Sequence, residues 1–189
     1  MIEVLKIRNP GVHYRASWIE LLFDLAFVVA LASTTHTLVG MSMPAGLMQF
    51  IVTFLLLVWV WAGFTIFVSV FEGAEKWHFA AVTQIGLVLL LATHHDLYGD
   101  DYFNFVVIYS LLRAVSVGMY LYVWRNLVEA RVFAKVQVAG IIVTLIPMWI
   151  GLWSDDAVVR EQLFLLAALL QMFIPLLAFF LDKNIVFNA

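Results

Sequence analysis

Apolar residues run along this chain in six long stretches, each separated from the next by a short polar segment. By hydropathy alone the stretches cover 17–38, 46–71, 78–95, 102–124, 134–153 and 160–181. At about 1.5 Å of rise per residue, a helix of about 20 residues crosses a bilayer core about 30 Å thick. We therefore predict an all-α fold, a polytopic transmembrane bundle of about six helices that forms a single domain over 1–189.

Composition supports an integral membrane protein. Hydrophobic residues make up 65% of the chain and charged residues 12%, whereas soluble domains are about half apolar and about a quarter charged. The lipid bilayer is therefore the expected partner. A net charge of −3 without a basic stripe argues against nucleic-acid binding, and the absence of cysteine excludes disulfides and thiol chemistry.

Basic residues predict the orientation of the bundle, because cytoplasmic loops of membrane proteins are enriched in lysine and arginine. If the N-terminus is inside, the cytoplasmic segments contain Lys6, Arg8, Arg15, Lys76, Arg125, Arg131, Lys135 and Lys183. The outer loops then contain only Arg160, and Arg113 lies within a span. Both termini are therefore predicted to be cytoplasmic.

Two carboxylates, Glu20 and Asp24, lie inside the first apolar stretch. A charge at membrane depth costs about 2.5–3.5 kcal/mol on insertion scales, so it usually has a partner. Helical rise places Asp24 about 10 Å and Arg113 about 16 Å from the cytoplasmic side. We predict a buried site with an Asp24–Arg113 ion pair and with Glu20 nearer the cytoplasmic mouth. The pair is either structural or part of a relay or binding site for a proton, an ion or a charged solute.

A second group of residues is expected either to wall a polar cavity or to fill the core. Trp59 and Trp61 lie in the middle of the second stretch, where each indole N–H needs an acceptor if it is buried. The remaining candidates are Thr65, Tyr109 and Gln171.

Small residues recur at four-residue spacing on the fourth helix, at Ser110, Ala114 and Gly118. Such strips allow close helix approach in membranes. Ala26 and Ala30 form a weaker strip on the first helix, so we predict that these two helices cross.

Histidines provide only weak candidates for a metal site, namely His36 and His94. Imidazole suits several divalent ions, but the adjacent His94 and His95 point about 100° apart on a helix. We expect no metal, no cofactor and no catalytic residue. A membrane enzyme or redox protein built on these histidines is the least favoured hypothesis, since no nucleophile elbow, phosphate-binding glycine loop or metalloprotease motif is present.

The opening stretch also carries a family resemblance. Residues 18–28, WIELLFDLAFV, preceded by HYR at 13–15, resemble the signature of the bacterial low temperature requirement A membrane proteins. Residues 59–67, WVWAGFTIF, and 109–113, YSLLR, are similar to later patches of that family in the same order. The resemblance implies a multi-pass bacterial inner-membrane protein with a link to growth in the cold, and it implies no established activity.

Departures from the family pattern suggest how the chain is built. Leu22 stands where the family usually has Phe, and family members carry a second set of helices with signatures that are absent here. The chain therefore resembles the N-terminal half of a family member, and we expect either a fragment or a short homologue that must assemble. Its length suggests a homodimer as a hypothesis.

Two functions follow from the residues. The first is a transporter or channel for protons, a small ion or a small solute that uses Glu20, Asp24 and Arg113. The second is a non-catalytic helical assembly or cold-adaptation protein in which the ion pair is structural. Replacing Asp24 and Arg113 together with apolar residues should be tolerated under the second function and should abolish flux under the first.

Overall fold

The computed structural model describes residues 5–8, 16–40, 45–73, 77–93 and 102–182, with the backbone alone for 36–40 and 45. The described chain forms six helices, namely α1 (Trp18–Gly40), α2 (Ala45–Val70), α3 (His78–Thr93), α4 (Tyr102–Asn126), α5 (Arg131–Gly151) and α6 (Ala157–Leu181). Two short strands, β1 (Lys6–Ile7) and β2 (Phe71–Glu72), pair antiparallel.

The predicted all-α transmembrane fold is confirmed, because each apolar stretch forms a helix within a few residues of its predicted limits. Five of the six helices are long and apolar enough to cross a membrane. The exception is α3, which is apolar but has 16 residues in the described part of the chain. This multi-pass arrangement follows from the length and composition of the stretches, since a helix satisfies its own backbone hydrogen bonds in lipid.

Helices that are consecutive along the chain alternate in direction. The beginnings of α1 and α3 meet where the Trp18 and His78 rings stack at 5.8 Å. The opposite ends of the same two helices meet where the Ser33 hydroxyl donates to the Ala92 carbonyl at 2.9 Å. These two contacts make α1 and α3 parallel neighbours, and α2, which lies between them in the sequence, runs in the opposite direction.

The remaining helices continue this alternation. The ring of Tyr120, near the end of α4, has its centroid 5.5 Å from that of Phe67 near the end of α2. It lies 6.0 Å, centroid to centroid, from the ring of Phe133 near the start of α5. The ring centroids of Phe133 and Phe179, the latter near the end of α6, are 5.2 Å apart. We call this the β1 end of the bundle, since β2 directly follows α2 here.

The helices close into a ring in the order α1, α3, α4, α5, α6, α2, and α2 also touches α4 across the ring. The predicted crossing of α1 and α4 is wrong, because α2 and α3 lie between them. Ala26 and Ala30 are buried, whereas Ala114 and Gly118 are exposed, and a Cβ on Gly118 would meet open space. Four-residue spacing identifies a helix face but not the neighbour of that face.

The N-terminal segment closes the exposed end of α2. Lys6 pairs with Glu72 and Ile7 with Phe71. The backbone N–H of Arg8 donates to the Val70 carbonyl at 2.9 Å, and its guanidinium donates to the Val68 carbonyl at 2.7 Å. These bonds satisfy carbonyls that the last turn of a helix leaves without intrahelical donors.

A carboxylate beyond α6 caps the start of α5. Asp182 is 3% exposed, and its Oδ2 accepts a hydrogen bond from the backbone N–H of Phe133 at 3.0 Å. Negative charge is stabilising at a helix N-terminus, where the first backbone N–H groups lack intrahelical acceptors. Asp182 therefore ties the last helix to the previous one.

Candidate functional site

Glu20, which the sequence suggested as part of a buried polar site, caps its own helix. The Ser17 hydroxyl donates to Glu20 Oε1 at 2.9 Å, and the Glu20 backbone N–H donates to Ser17 Oγ at 3.4 Å. This reciprocal arrangement is a capping box, with serine at the N-cap and glutamate three residues later. The Ser-x-x-Glu signal before an apolar run is present in the sequence and identifies this role.

Asp24 is exposed, and it bonds to α2 rather than to α4. Its Oδ1 accepts a hydrogen bond from the Trp61 indole N–H at 2.7 Å, and the Trp61 ring stacks on Phe27 with centroids 5.5 Å apart. Asp24 therefore gives the Trp61 indole the acceptor that a tryptophan N–H at membrane depth requires.

The predicted Asp24–Arg113 ion pair is wrong. Arg113 Nη1 donates instead to the backbone carbonyl of Trp59 on α2, at 3.2 Å. Both side chains thus bind α2, Asp24 through Trp61 and Arg113 through Trp59, and they lie on different sides of that helix. Counting residues from the helix ends gave the depth of each charge in the membrane but not its lateral position.

Arg113 is a buried charge in the interior of the bundle. It is 5% exposed and lies about 16 Å along α4 from Tyr102. Gly63 lies beside it, and a Cβ there would be 3.5 Å from Nη1. Within the described residues, the guanidinium has no carboxylate partner, and its Nε has no hydrogen-bond partner.

A small cavity adjoins Arg113 where α2, α4, α5 and α6 meet. Its volume is about 20 Å³, which is room for one water-sized body. The lining residues are Trp59, Gly63, Ile66, Arg113, Gln137, Gln171, Ile174 and Pro175. The predicted candidates Trp59 and Gln171 therefore join Arg113 at one site.

Tyr109 orients one of the lining amides. Its hydroxyl donates to Gln171 Oε1 at 2.7 Å and lies 3.5 Å from the Leu56 carbonyl. Because Oε1 accepts from Tyr109, the Nε2 of Gln171 faces away from the tyrosine, and it has no partner among the described residues. Gln137, 5% exposed on α5, likewise has an Nε2 without a partner there.

Further buried polar groups extend from the cavity along the inside of the bundle. Gln49 and Thr53 lie on α2 and are each 2% exposed. Gln84 of α3 donates to Ser116 of α4 at 3.1 Å, and the Tyr120 hydroxyl donates to the Gly63 carbonyl at 3.4 Å. Polar side chains therefore occur at several depths within a largely apolar interior.

Sequence reasoning named Gln171 but missed the other buried amides, because it searched for charges. Gln49, Gln84, Gln137 and Gln171 each lie inside an apolar helix and are all buried. A single glutamine in an otherwise apolar span is a usable signal, since a polar group in hydrocarbon needs partners.

The other predicted candidates lie elsewhere. Thr65 is half-buried on α2 and is not part of the cavity lining. His94 lies outside the described residues, and His36 is described by its backbone alone. The two weak metal candidates are therefore not placed.

Comparison with known proteins places the whole bundle in one family. No curated protein and no solved structure matches the chain significantly. The family model described as "Bacterial low temperature requirement A protein (LtrA)" matches residues 15–182, which include all six helices. The multi-pass helical bundle described above therefore belongs to the bacterial low temperature requirement A protein family.

Proposed function

We propose that this protein moves a small ion across the bacterial inner membrane, through the polar interior between α2, α4, α5 and α6. The observation that supports this proposal is the environment of Arg113. A permanently charged guanidinium lies in the middle of the bundle beside a small cavity, and no carboxylate of the described part of the chain neutralises it.

The energetics favour a functional reason for this arginine. A guanidinium at membrane depth costs about 2.5–3.5 kcal/mol or more, and the interaction described for Arg113 is with one backbone carbonyl. A purely structural arginine is expected to have a carboxylate partner, because an unpaired buried charge is strongly destabilising. The environment of the Arg113 guanidinium is therefore that of a binding group for a charged ligand.

The buried polar groups provide a route to that site. Gln49, Thr53, Leu56 and Gly63 recur at intervals that place them along one side of α2, over about 21 Å. The Tyr109 hydroxyl lies beside the Leu56 carbonyl, and the Arg113 guanidinium lies beside Gly63. An ion that crosses the bundle along this side of α2 meets polar groups before and at the cavity.

This proposal moves the site away from the first helix. Glu20 caps α1, and Asp24 is bound to Trp61 on the outer side of α2, so neither carboxylate belongs to the route. The alternative function, a structural assembly or cold-adaptation protein, relied on an Asp24–Arg113 pair that does not form. A homodimer stays a prediction, which native mass spectrometry in mild detergent tests.

Charge movement in reconstituted liposomes tests the proposal. We would record currents on a solid-supported membrane while imposing gradients of protons, sodium, potassium or chloride in turn. The variants are Arg113→Gln and the matched control Arg160→Gln. Arg160 is also a buried arginine, 7% exposed. It lies away from the cavity, at the end of the bundle opposite β1, with its Cζ 3.7 Å from the Tyr102 ring centre.

We expect at least one gradient to drive a current in the wild type and in Arg160→Gln. In Arg113→Gln that current should fall at least about tenfold, which corresponds to about 1.4 kcal/mol. The absence of current under every gradient, or an equal current in folded Arg113→Gln, would overturn the proposal and favour a structural role for Arg113.

A further inference from the structure

We infer that the cavity beside Arg113 binds a small anion about the size of a water molecule, with a halide ion as the simplest case. The inference rests on the proposed function, because it names the class of ion that the route would carry. The binding site itself is argued from the charge, the donors and the size of the cavity.

The charge of the cavity favours an anion. Arg113 stays protonated in proteins and is 5% exposed. Asp24, the carboxylate that the sequence pairs with it, accepts from Trp61 instead. In a low-dielectric interior, a neutral ligand would leave the guanidinium charge uncompensated, whereas an anion would neutralise it.

The hydrogen-bonding groups of the lining also favour an anion. Three nitrogens of the cavity-lining residues, namely Arg113 Nε, Gln137 Nε2 and Gln171 Nε2, are buried and have no hydrogen-bond partner among the described residues. A water molecule has two lone pairs and also brings two protons that need acceptors. A spherical anion can accept from three donors and brings no proton, so it satisfies this set more completely.

The size of the cavity limits which anion fits. A volume of about 20 Å³ holds one body of about the size of a water molecule, so it favours a monatomic anion over phosphate, sulfate or a carboxylic acid. The remaining walls are apolar, formed by Ile66, Ile174 and Pro175. A monatomic anion needs no directional partner on those sides, whereas an oxyanion has several oxygens that need donors.

Thermal unfolding in mild detergent tests this site directly. Chloride would be replaced stepwise by gluconate, which is too large for the cavity, at constant ionic strength. A ligand that binds only the folded state raises Tm in proportion to RT ln(1 + [L]/Kd). We expect Tm to rise with chloride in the wild type and in Arg160→Gln, and to be independent of chloride in Arg113→Gln.

A second variant keeps the test decisive if Arg113→Gln does not fold. Gln137→Glu has nearly the same shape and places a carboxylate in the cavity, where it would take the position of the anion. Its Tm in gluconate should exceed that of the wild type, and chloride should raise it no further. The same Tm in chloride and gluconate for the wild type, or a wild-type chloride response in Gln137→Glu, would overturn the inference.

The two proposals fail in distinguishable ways. A chloride response without a current under any gradient supports the anion site and overturns ion movement. A current that only cations carry, without a chloride response, keeps ion movement and overturns the anion site.

Discussion

Gly140 on α5 allows the closest approach to α6, and replacing it with alanine should destabilise the protein. A Cβ at position 140 would lie 2.6 Å from both Cγ1 and Cγ2 of Ile174 and 2.9 Å from its Cδ1. Carbon atoms in favourable contact are about 3.5–4.0 Å apart. Because both γ carbons are bonded to the Cβ of Ile174, no staggered rotamer of this side chain moves both of them away from a Cβ at position 140.

The expected magnitude follows from this overlap. Overpacking of a buried contact costs about 1–3 kcal/mol, whereas alanine for glycine inside a helix gains about 0.5–1 kcal/mol. Gly86 on α3 is the matched control, because a Cβ there meets open space. Gly140→Ala should therefore be about 1–3 kcal/mol less stable than Gly86→Ala.

Unfolding in mixed detergent and dodecyl sulfate micelles, followed by tryptophan fluorescence, measures this difference. Ile174→Ala removes all three contacted carbons, so Gly140→Ala should cost nothing in that background, and the double-mutant cycle should show strong coupling. Equal stability of Gly140→Ala and Gly86→Ala, or additive effects in the cycle, would refute the packing argument.

Three further predictions concern individual carboxylates. Asp182→Ala should lower the free energy of unfolding by about 1–2 kcal/mol, because it removes a buried cap from the Phe133 N–H. Asp182→Asn should lower it less in the same micelle assay. Equal stability of Asp182→Ala and wild type would count against the cap. Glu20→Ala should lower the free energy of unfolding by about 0.5–1 kcal/mol, and Glu20→Gln should lower it much less, since glutamine also completes a capping box. A large loss of stability in Glu20→Gln would indicate a role for the charge itself. Asp24→Asn should keep the wild-type current, because the asparagine oxygen still accepts from Trp61, and a lost current in the folded variant would return Asp24 to the route.

The helices were predictable from sequence because bilayer thickness sets their length. All six limits agree within a few residues, and the low cost of an apolar helix in lipid explains why. Hydropathy contains no information on which helices touch, however. The neighbours of α4 are set by side-chain packing around α2, and this is why Arg113 binds Trp59 rather than Asp24.

The candidate site was predicted only in part. Arg113 was predicted to share a site with Glu20 and Asp24, and Trp59, Tyr109 and Gln171 were named as separate cavity candidates. In the structure Trp59 and Gln171 line the cavity beside Arg113, and Tyr109 bonds to Gln171. Gln137 was missed, because a neutral amide in an apolar helix carries less weight in a search for charges. Its position at the same cavity as Arg113 depends on α5 packing beside α4, which one sequence does not reveal.

Chloride-driven current in Gln137→Glu tests the central claim most directly, because it separates function from stability. If the cavity holds the transported anion, the added carboxylate should make the protein more stable and abolish the current. A stable Gln137→Glu variant that carries the wild-type chloride current would contradict the account.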